Sequence, residues 1–332
     1  MPAHKYIYSF RYDNTESMLC KLESKYLFKK EEKNKQLFTD VKIEPSRSAF
    51  LKTRLDVVSY SSDFSDLLEQ IKELKIRTDG FKVEYLILEG DTTRNEERLS
   101  KLKGVGYSID TFPDYHNPTI TYAICTDQEV WYFGILNKNN FDWQKHKQKP
   151  HSYSNSIKQN IAKALVNIAV DSKQGMLLLD ACCGAGTIML EACFAGFTIE
   201  GCDISWKTCK NARANLAHFD YKAEVHHSDI DAINKQYDAA IIDLPYNLYS
   251  PASDLDLQHI ITSTSKITNR LIIVSAKEIE SELKKAGLKL LDHCFIKKRG
   301  KANFKREIWV CESEARNLTS DPLISDPLKS DI

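Results

Sequence analysis

The sequence predicts an α/β fold: a mostly parallel sheet covered by helices and closed by an antiparallel C-terminal hairpin, preceded by a smaller α+β domain. Three observations predict it. From residue 157 onward, apolar runs of strand length alternate with helical stretches, the pattern of parallel strands joined by helical crossovers. A glycine-rich turn follows the first of these strands. The length of 332 residues is enough for two domains.

Residues 1–136 mix short strand and helix signals, which predicts an α+β domain. The predicted elements are, in chain order, a strand over 5–12, a helix over 15–28, a helix over 64–74, a strand over 83–89, and a hairpin formed by 119–125 and 129–134.

Residues 151–312 show the regular alternation that defines the second domain. Five helix-linked strands imply a parallel sheet with right-handed crossovers, and the terminal strand pair implies one antiparallel edge strand. The predicted helices cover 157–170, 187–195, 205–219, 255–267 and 277–286, and the predicted strands cover 176–182, 198–204, 223–229, 237–243, 271–276, 289–296 and 304–311.

Two segments lack these patterns. Residues 137–150 are polar, carry four lysines against one aspartate and end in a helix-breaking proline. They are predicted to be a basic linker between the domains. Residues 313–332 contain the run Ser-Asp-Pro-Leu twice and are predicted to be a disordered tail.

Composition excludes several classes of protein. A hydrophobic content of 42% excludes a disordered chain. No apolar run approaches the roughly 18 residues of a membrane span, and the N-terminus lacks the apolar core of a signal peptide. The nine cysteines form no CxxC pair and no zinc-type spacing, which indicates reduced cytosolic thiols and no metal site. We therefore expect a cytoplasmic protein without membrane association.

The charge balance is neutral, with 46 basic and 46 acidic residues. Dividing the chain at residue 150 changes little, because the first part carries 24 basic and 23 acidic groups and the rest carries 22 and 23. A nucleic-acid-binding protein usually has a basic excess. Any contact with nucleic acid must therefore come from local clusters of positive charge.

The strongest chemical signal is the run LDACCGAGT at 179–187, which ends a predicted strand and opens a helix. Its glycines lie where the backbone turns tightly against a ligand. The dinucleotide-binding motif GxGxxG has a third glycine that makes room for a pyrophosphate. Here that third glycine is absent, and an aspartate precedes the turn. This suits a ligand with an amine and no phosphates, such as S-adenosylmethionine. The predicted cofactor contacts in this run are Asp180, Cys182, Gly184, Gly186 and Thr187.

Two further aspartates end the next two predicted strands. Asp203 lies about 20 residues beyond the glycines, where a carboxylate accepts hydrogen bonds from ribose hydroxyls. Asp229 is placed to accept the adenine amine, and the adjacent Ile204 and Ile230 are predicted to contact the same ligand. Each aspartate alone has a simpler interpretation as a helix cap, but three in succession at carboxyl strand ends indicate one site.

The fourth strand ends in Asp243-Leu244-Pro245-Tyr246. Exocyclic amines of bases are poor nucleophiles because their lone pair is delocalised into the ring. The Asp243 carboxylate and a backbone carbonyl accepting the two N–H bonds would turn that lone pair toward a methyl group. Pro245 would make the turn rigid, and Tyr246 would stack on an extruded base. Asp243 is also a predicted cofactor contact; the simpler alternative is an Asp-x-Pro turn at a strand end.

Residues from about 149 to 310 resemble a class I, Rossmann-like S-adenosylmethionine-dependent methyltransferase. The Asp-x-Pro-Tyr run is similar to the Asp/Asn-Pro-Pro-Tyr/Phe motif of amino-methyltransferases, with Leu244 in place of the first proline. The approach KPHSYSNSI at 149–157 and the following helix resemble the archaeal and eukaryotic tRNA guanosine-10 N2-methyltransferases. That resemblance implies methylation of a guanine N2 in tRNA, with Asp243, Pro245 and Tyr246 holding the amine.

That family carries a THUMP RNA-binding domain in front of its catalytic domain. Residues 1–136 resemble a ferredoxin-like plus THUMP arrangement in length and in the order of their elements.

Two basic clusters could supply the local positive charge for tRNA. Basic residues with interleaved aromatics favour contact with a nucleic-acid backbone or single strand; the alternative is a solvated linker and a solvated hairpin turn. The predicted RNA contacts are Lys145, Lys147 and Lys149 in the linker, beside Trp143 and His146, and Lys297, Lys298, Arg299 and Lys301 in the hairpin.

Three other functions stay open at this point. The same tetrad occurs in enzymes that methylate adenine or cytosine amines of DNA or rRNA, and in enzymes that methylate a protein glutamine amide. A catalytically silent RNA-binding protein on a methyltransferase scaffold is the alternative of another class, which Asp243 argues against and Leu244 leaves open.

Overall fold

The computed structural model describes residues 4–153, 156–245, 253–297 and 305–313. The chain divides into two compact units, Met1–Lys147 and Gln148–Ile332. The division falls inside the predicted linker. The predicted tail lies outside the described residues, apart from Ser313.

The first unit is built on a six-stranded sheet in the order β2-β1-β3-β6-β5-β4. Neighbouring strands are antiparallel except β4 and β5, which are parallel. The strands are β1 (Tyr6–Phe10), β2 (Gln36–Thr39), β3 (Leu51–Ser61), β4 (Phe81–Tyr85), β5 (Ile120–Thr126) and β6 (Trp131–Lys138), and the helices are α1 (Ser17–Phe28), α2 (Phe64–Glu73) and α3 (Asn95–Ser108).

The prediction for this unit is confirmed for α1, α2 and the β5–β6 hairpin, and it missed β2, β3 and α3. The long strand β3 has a burial pattern that does not alternate regularly, with a bulge between Val57 and Ser59. Helix α3 contains two glycines, which lower helix propensity. Neither element therefore has the clean period on which such predictions depend.

The predicted linker contains regular structure. Its first two residues end β6, and Asp142–Gln148 form 3-10 turns. The side-chain amide of Asn139 donates to the carbonyl oxygens of Pro45 (2.9 Å), Ser48 (3.0 Å) and Leu51 (2.8 Å). These bonds tie the segment to the first unit, and the side chains of Trp143 and His146 are buried.

The second unit is built on a seven-stranded sheet in the order β12-β13-β11-β10-β7-β8-β9. Its strands are β7 (Leu177–Asp180), β8 (Thr198–Asp203), β9 (Glu224–His227), β10 (Ala239–Asp243), β11 (Arg270–Ser275), β12 (Leu288–Lys297) and β13 (Lys305–Ser313). Its helices are α4 (Gln159–Val170), α5 (Thr187–Phe194), α6 (Trp206–His218), α7 (Asp254–Ser265) and α8 (Glu280–Lys285). This mixed, mostly parallel sheet confirms the predicted fold class.

One feature of the predicted sheet is wrong: the antiparallel strand is not at the edge. Strand β13 lies between β11 and β12 and is antiparallel to both, so β12 is the edge strand. The physical reason is burial on both faces. Five consecutive residues of β13, from Glu307 to Cys311, are buried, so both faces of this strand are covered, as is typical of a strand inside a sheet that is covered on both faces.

Apolar side chains fill the layer between the sheet and the helices that follow it. Ile242 on β10, Ile273 on β11 and Trp309 on β13 pack in one core cluster with Ile261 of α7 and Leu283 of α8. This core fixes the strands whose carboxyl ends carry the candidate site. In the part of the chain that the structure describes, no helix is long and apolar enough to cross a membrane.

Candidate active site

Four aspartates lie along one edge of the second sheet. Asp180, Asp203 and Asp243 end β7, β8 and β10, and Asp229 follows β9 by two residues. These strands are parallel neighbours in the order β10-β7-β8-β9. The structure therefore brings together all four predicted carboxylates, in the spatial order Asp243, Asp180, Asp203, Asp229.

The glycine-rich turn between β7 and α5 has two distinct requirements for glycine. Gly184 (φ +51°) and Gly186 (φ +76°) both adopt left-handed backbone conformations. A Cβ on Gly186 would lie 3.2 Å from the Cβ of Ala212 in α6, whereas one on Gly184 would point into open space. Gly186 thus allows helix packing, and Gly184 leaves the surface beside β7 open to a ligand.

The two other predicted cofactor contacts in this turn, Cys182 and Thr187, differ in their exposure to solvent. Cys182 is half-buried, whereas Thr187 is buried at the first position of α5. The backbone N–H of Cys183 donates to the carbonyl of Cys202 on β8 (2.9 Å), which holds the turn against the next strand.

Asp180 is a buried carboxylate, and neither of its oxygens has a hydrogen-bond partner among the described residues. Burial, followed by the negative charges of Asp243 and Asp203, raises the pKa of Asp180 well above its usual value. An unsatisfied buried carboxylate is costly. A cationic amine is the ligand chemistry that would relieve this cost, so the residues present fit the amino end of S-adenosylmethionine.

Asp203 organises the turn beside it. Its Oδ2 accepts the backbone N–H of Gly184 (3.0 Å), and its Oδ1 accepts the backbone N–H of Ser205 and the hydroxyl of Thr208 (both 2.8 Å). The neighbouring Ile204 is 73% exposed. The carboxylate is thus held in place, with an apolar side chain next to it at the surface.

Asp229 is exposed and lies 3.0 Å from the Nε2 atom of His259 on α7. Although partial burial raises the pKa of Asp229, hydrogen bonds from His259 and from the backbone of Asp231 lower it overall. Ile230, the neighbouring predicted cofactor contact, is buried in the hydrophobic core, and its contact with the cofactor stays a prediction. His259 was not predicted: it lies 30 residues from Asp229, and no sequence signal joins them.

The carboxylate of Asp243 is also poorly satisfied. Its Oδ1 is buried and has no hydrogen-bond partner among the described residues. Burial raises the pKa of Asp243 to about 6, and the positive charge of Arg306 on β13 opposes this rise. Leu244 is buried and donates its N–H to the carbonyl of Val274 (3.0 Å), and Pro245 is exposed. Tyr246 lies outside the described residues.

The predicted basic clusters are only partly accessible. Lys145 and Lys147 are exposed, but Lys149 is only 6% exposed, and burial lowers its pKa. The burial of Lys149 does not favour contact with RNA, and that contact stays a prediction. Lys297 is exposed and lies 5.7 Å from the ring centre of Phe295. The other hairpin residues, Lys298, Arg299 and Lys301, lie outside the described residues.

Gly201 is a structural residue of the site that the sequence analysis missed. A Cβ at this position of β8 would overlap the sulfur of Met189 in α5 and would lie 3.0 Å from the Cβ of Cys183. A glycine inside a predicted strand was the available signal, because it often marks a close approach of two elements.

Two clusters of carboxylates with a histidine occur in the described part of the chain. The first contains Glu200, Glu224 and His226; the second contains Asp229, Asp231 and His259. Glu200 is already bound by the hydroxyl of Tyr237 (2.7 Å) and by Lys235. The predicted absence of a metal site stays a prediction.

Comparison with known protein families places this geometry in context. Residues 147–250 match the methyltransferase domain family described as UPF0020, RMKL-like. This match confirms the predicted resemblance to class I methyltransferases, and it supports S-adenosylmethionine as the cofactor.

Two relatives carry the same curated name, tRNA (guanine(10)-N2)-dimethyltransferase. The one from Methanothermobacter thermautotrophicus is 28% identical over 218 residues, covering 62% of this chain and 64% of the relative. The one from Methanocaldococcus jannaschii is 26% identical over 160 residues, covering 43% of this chain and 45% of the relative. The chain thus spans less than two thirds of the length of these relatives.

Among solved structures, TrmN from Thermus thermophilus is 16% identical. The alignment covers 93% of this chain and 99% of that chain, with a TM-score of 0.46.

Proposed function

We propose that this protein transfers a methyl group from S-adenosylmethionine to the exocyclic N2 amine of a guanosine in tRNA. The observation that carries the proposal is the pair of carboxylates Asp180 and Asp243, which end the adjacent strands β7 and β10. Both oxygens of Asp180 and one oxygen of Asp243 are buried without a hydrogen-bond partner among the described residues. One suits a cationic cofactor and the other suits an amine substrate. The names of the two relatives support guanosine 10 as the nucleotide.

The cofactor would lie across the carboxyl ends of β7, β8 and β9. In this proposal Asp180 accepts the amino group, Asp203 accepts the ribose hydroxyls, and Asp229 accepts the adenine amine. Gly184 leaves room for the ligand, and the exposed Ile204 offers an apolar contact for the base. When bound, S-adenosylmethionine supplies a methyl group on a positively charged sulfur, and the carbon–sulfur bond breaks with its electron pair going to sulfur as the amine nitrogen bonds to carbon.

The chain's own contribution to the chemistry is orientation and electrostatics. Asp243 and the carbonyl of Leu244 would each accept one N–H bond of the amine, so that its lone pair points away from the ring system. The ionised form of Asp243 is required, because a protonated carboxyl loses an acceptor site. The amine proton would then leave toward the Asp243 carboxylate or water.

The rest of the proposal concerns the whole molecule. The first unit would hold the tRNA in the manner of a THUMP-containing domain, with Lys145, Lys147 and Lys297 contacting the RNA backbone. A cytoplasmic location is supported by the nine cysteines, all of which are free.

A methylation assay tests this function directly. The purified chain is incubated with labelled S-adenosylmethionine and, separately, with tRNA, rRNA, DNA or protein, and the labelled product is digested and identified. We expect labelled N2-methylguanosine from tRNA, and its loss in Asp243→Ala with cofactor binding retained. Label in DNA or protein but not in tRNA would contradict the proposal, and cofactor binding without transfer to any substrate would favour a silent RNA-binding scaffold.

A further inference from the structure

Arg306 lies on the same face and at the same edge of the sheet as Asp243. Asp243 on β10 is the register partner of Val274 on β11, and Val274 is the partner of Ile308 on β13. Arg306 is two residues from Ile308, and alternate residues of a strand share a face. Glu307 pairs with Ser275, the last residue of β11. Because β13 is antiparallel to β11, Arg306 lies one residue beyond this pair, at the carboxyl end of β11.

The backbones of Asp243 and Arg306 are separated by one intervening strand, a distance over which the long side chain of an arginine can approach a carboxylate. Strands β10 and β13 are separated only by β11, so their backbones are about 10 Å apart. Arg306 is half-buried, and the Oδ1 of Asp243 is buried. A positive charge in such surroundings acts on a nearby carboxylate more strongly than it would in water.

The surrounding charges show why this arginine matters. Burial disfavours the ionised form of Asp243, and the negative charge of Asp243 in turn raises the pKa of Asp180 on β7 and of the Cys182 thiol. Arg306 is the charge that opposes burial at Asp243, and the interaction is mutual, because Asp243 raises the pKa of Arg306 against the lowering effect of burial.

We propose that Arg306 is a positioning residue for amine methylation, which keeps the Asp243 carboxylate ionised so that it accepts the N–H bond of the target amine. This inference rests on the proposed function. Its competitor is a purely structural role in the β12–β13 hairpin, in which the loss of Arg306 destabilises the protein without changing Asp243.

The first test compares Arg306→Leu with Arg306→Lys. The pH dependence of kcat/KM for tRNA is measured at saturating S-adenosylmethionine. In Arg306→Leu the loss of the positive charge should move the acid limb of the pH profile of kcat/KM to higher pH by about one to two units. The rate of Arg306→Leu at pH 6.5 therefore falls about threefold to about 25-fold and recovers most of the wild-type value at pH 8.5. The lysine variant keeps the charge and stays near the wild-type profile.

A matched control is Arg270→Leu. Arg270 is a buried arginine of the same sheet. It lies 3.3 Å from Glu312 and at the opposite end of β11. We expect this variant to lower thermal stability without moving the acid limb. If Arg306→Leu behaves like Arg270→Leu, the structural role is correct and the inference is overturned.

A double mutant separates the charge effect from direct contact with RNA. In an Asp243→Asn background there is no carboxylate to keep ionised, so adding Arg306→Leu should change the residual kcat by less than about twofold. An equal loss in both backgrounds, or a raised KM for tRNA with an unmoved acid limb, would overturn the inference.

The ionisation of Asp243 can also be followed without any tRNA. In protein labelled with ¹³C at the aspartate Cγ, the Asp243 signal is identified by its absence in Asp243→Asn. Its titration midpoint should rise in Arg306→Leu and stay in Arg306→Lys. An unchanged midpoint overturns the role of Arg306, whereas inactivity of the wild-type protein on tRNA overturns the proposed function instead.

Discussion

Asp180 and Asp243 present like charges to each other in a part of the sheet that water barely reaches. The charge of Asp243 makes the ionisation of Asp180 less favourable, because repulsion between two carboxylates is weakly screened at buried positions. A cation bound beside Asp180 would oppose this effect. The residues of the site therefore bring an electrostatic cost to the ligand-free protein that binding is expected to remove.

Asp180→Asn should stabilise the ligand-free protein and weaken its cofactor binding. The pKa of Asp180 is higher in the folded protein than in the unfolded chain. This carboxyl therefore lowers the free energy of unfolding once the pH rises above its pKa in the unfolded chain. Removing the charge should raise the free energy of unfolding by about 1 kcal/mol or more at pH 8. The dissociation constant for S-adenosylmethionine should rise about tenfold or more. Denaturant unfolding and calorimetric titration measure the two effects.

The same calorimetric titration also measures the protons that are released when S-adenosylmethionine binds. Binding of a cation to wild-type Asp180 should release protons, so the binding enthalpy should depend on the ionisation enthalpy of the buffer, and Asp180→Asn should lose that dependence. A less stable Asp180→Asn protein with unchanged affinity would mean that the carboxylate has a structural role.

His259→Ala should weaken cofactor binding without changing the chemical step. His259 restrains Asp229 through the 3.0 Å contact, and its loss frees the carboxylate to rotate. We expect the dissociation constant for S-adenosylmethionine to rise about threefold to tenfold, with kcat at saturating cofactor unchanged. His226→Ala is the matched control, since His226 makes a similar contact (3.1 Å) with Glu200 away from the proposed adenine end. Equal effects of the two variants would refute the assignment.

At the level of elements, the approach of α5 to β8 sets the position of the glycine-rich turn. Gly201 lets Met189 lie directly on the strand, and Gly186 lets the start of α5 pack against Ala212 of α6. Two strands and two helices thus meet around the proposed cofactor site, which explains why this turn can be held open at Gly184.

Gly201→Ala should therefore damage both stability and cofactor binding. The added methyl overlaps buried atoms of Met189 and Cys183, and overpacking of this kind costs about 1–3 kcal/mol. Displacing α5 also moves the turn, so affinity for S-adenosylmethionine should fall. Gly106→Ala is the contrasting control: it has open space in helix α3 and should stabilise the protein by about 0.5–1 kcal/mol. Thermal unfolding and cofactor titration distinguish the two, and a harmless Gly201→Ala would contradict the packing argument.

Much of the second unit was predictable because its signals are local and periodic. Strands β7, β10 and β11 appear as separate apolar runs, and β8 and β9 follow from the alternation with helices. Because the carboxyl ends of parallel strands share one edge, this order groups Asp180, Asp203, Asp229 and Asp243.

The parts that could not be predicted depend on pairing between distant residues. The insertion of β13 beside β11, the contact of His259 with Asp229 and the placement of Arg306 near Asp243 all follow from how strands and helices dock. In the first unit, β3 and α3 were missed because neither has a clean hydrophobic period.

For the whole molecule, charge neutrality limits how the protein can hold an RNA. With 46 basic and 46 acidic residues, no large positive field is available. Burial of Lys149 reduces the predicted linker cluster to Lys145 and Lys147. The affinity for tRNA should thus come from a few local contacts.

Replacing Lys145 and Lys147 with methionine should therefore lower the salt dependence of tRNA binding. Each phosphate contact contributes about 0.7–0.9 to the slope of log affinity against log salt, so the double variant should lose about 1.4–1.8 from that slope. Lys284→Met is the control, since it removes an exposed lysine on α8 that pairs with Glu280 (3.0 Å). Filter binding across a salt series measures the slopes. An unchanged slope in the double variant would place the RNA contacts elsewhere. A smaller slope in the double variant, with no change in Lys284→Met, would assign RNA contacts to the segment Asp142–Gln148.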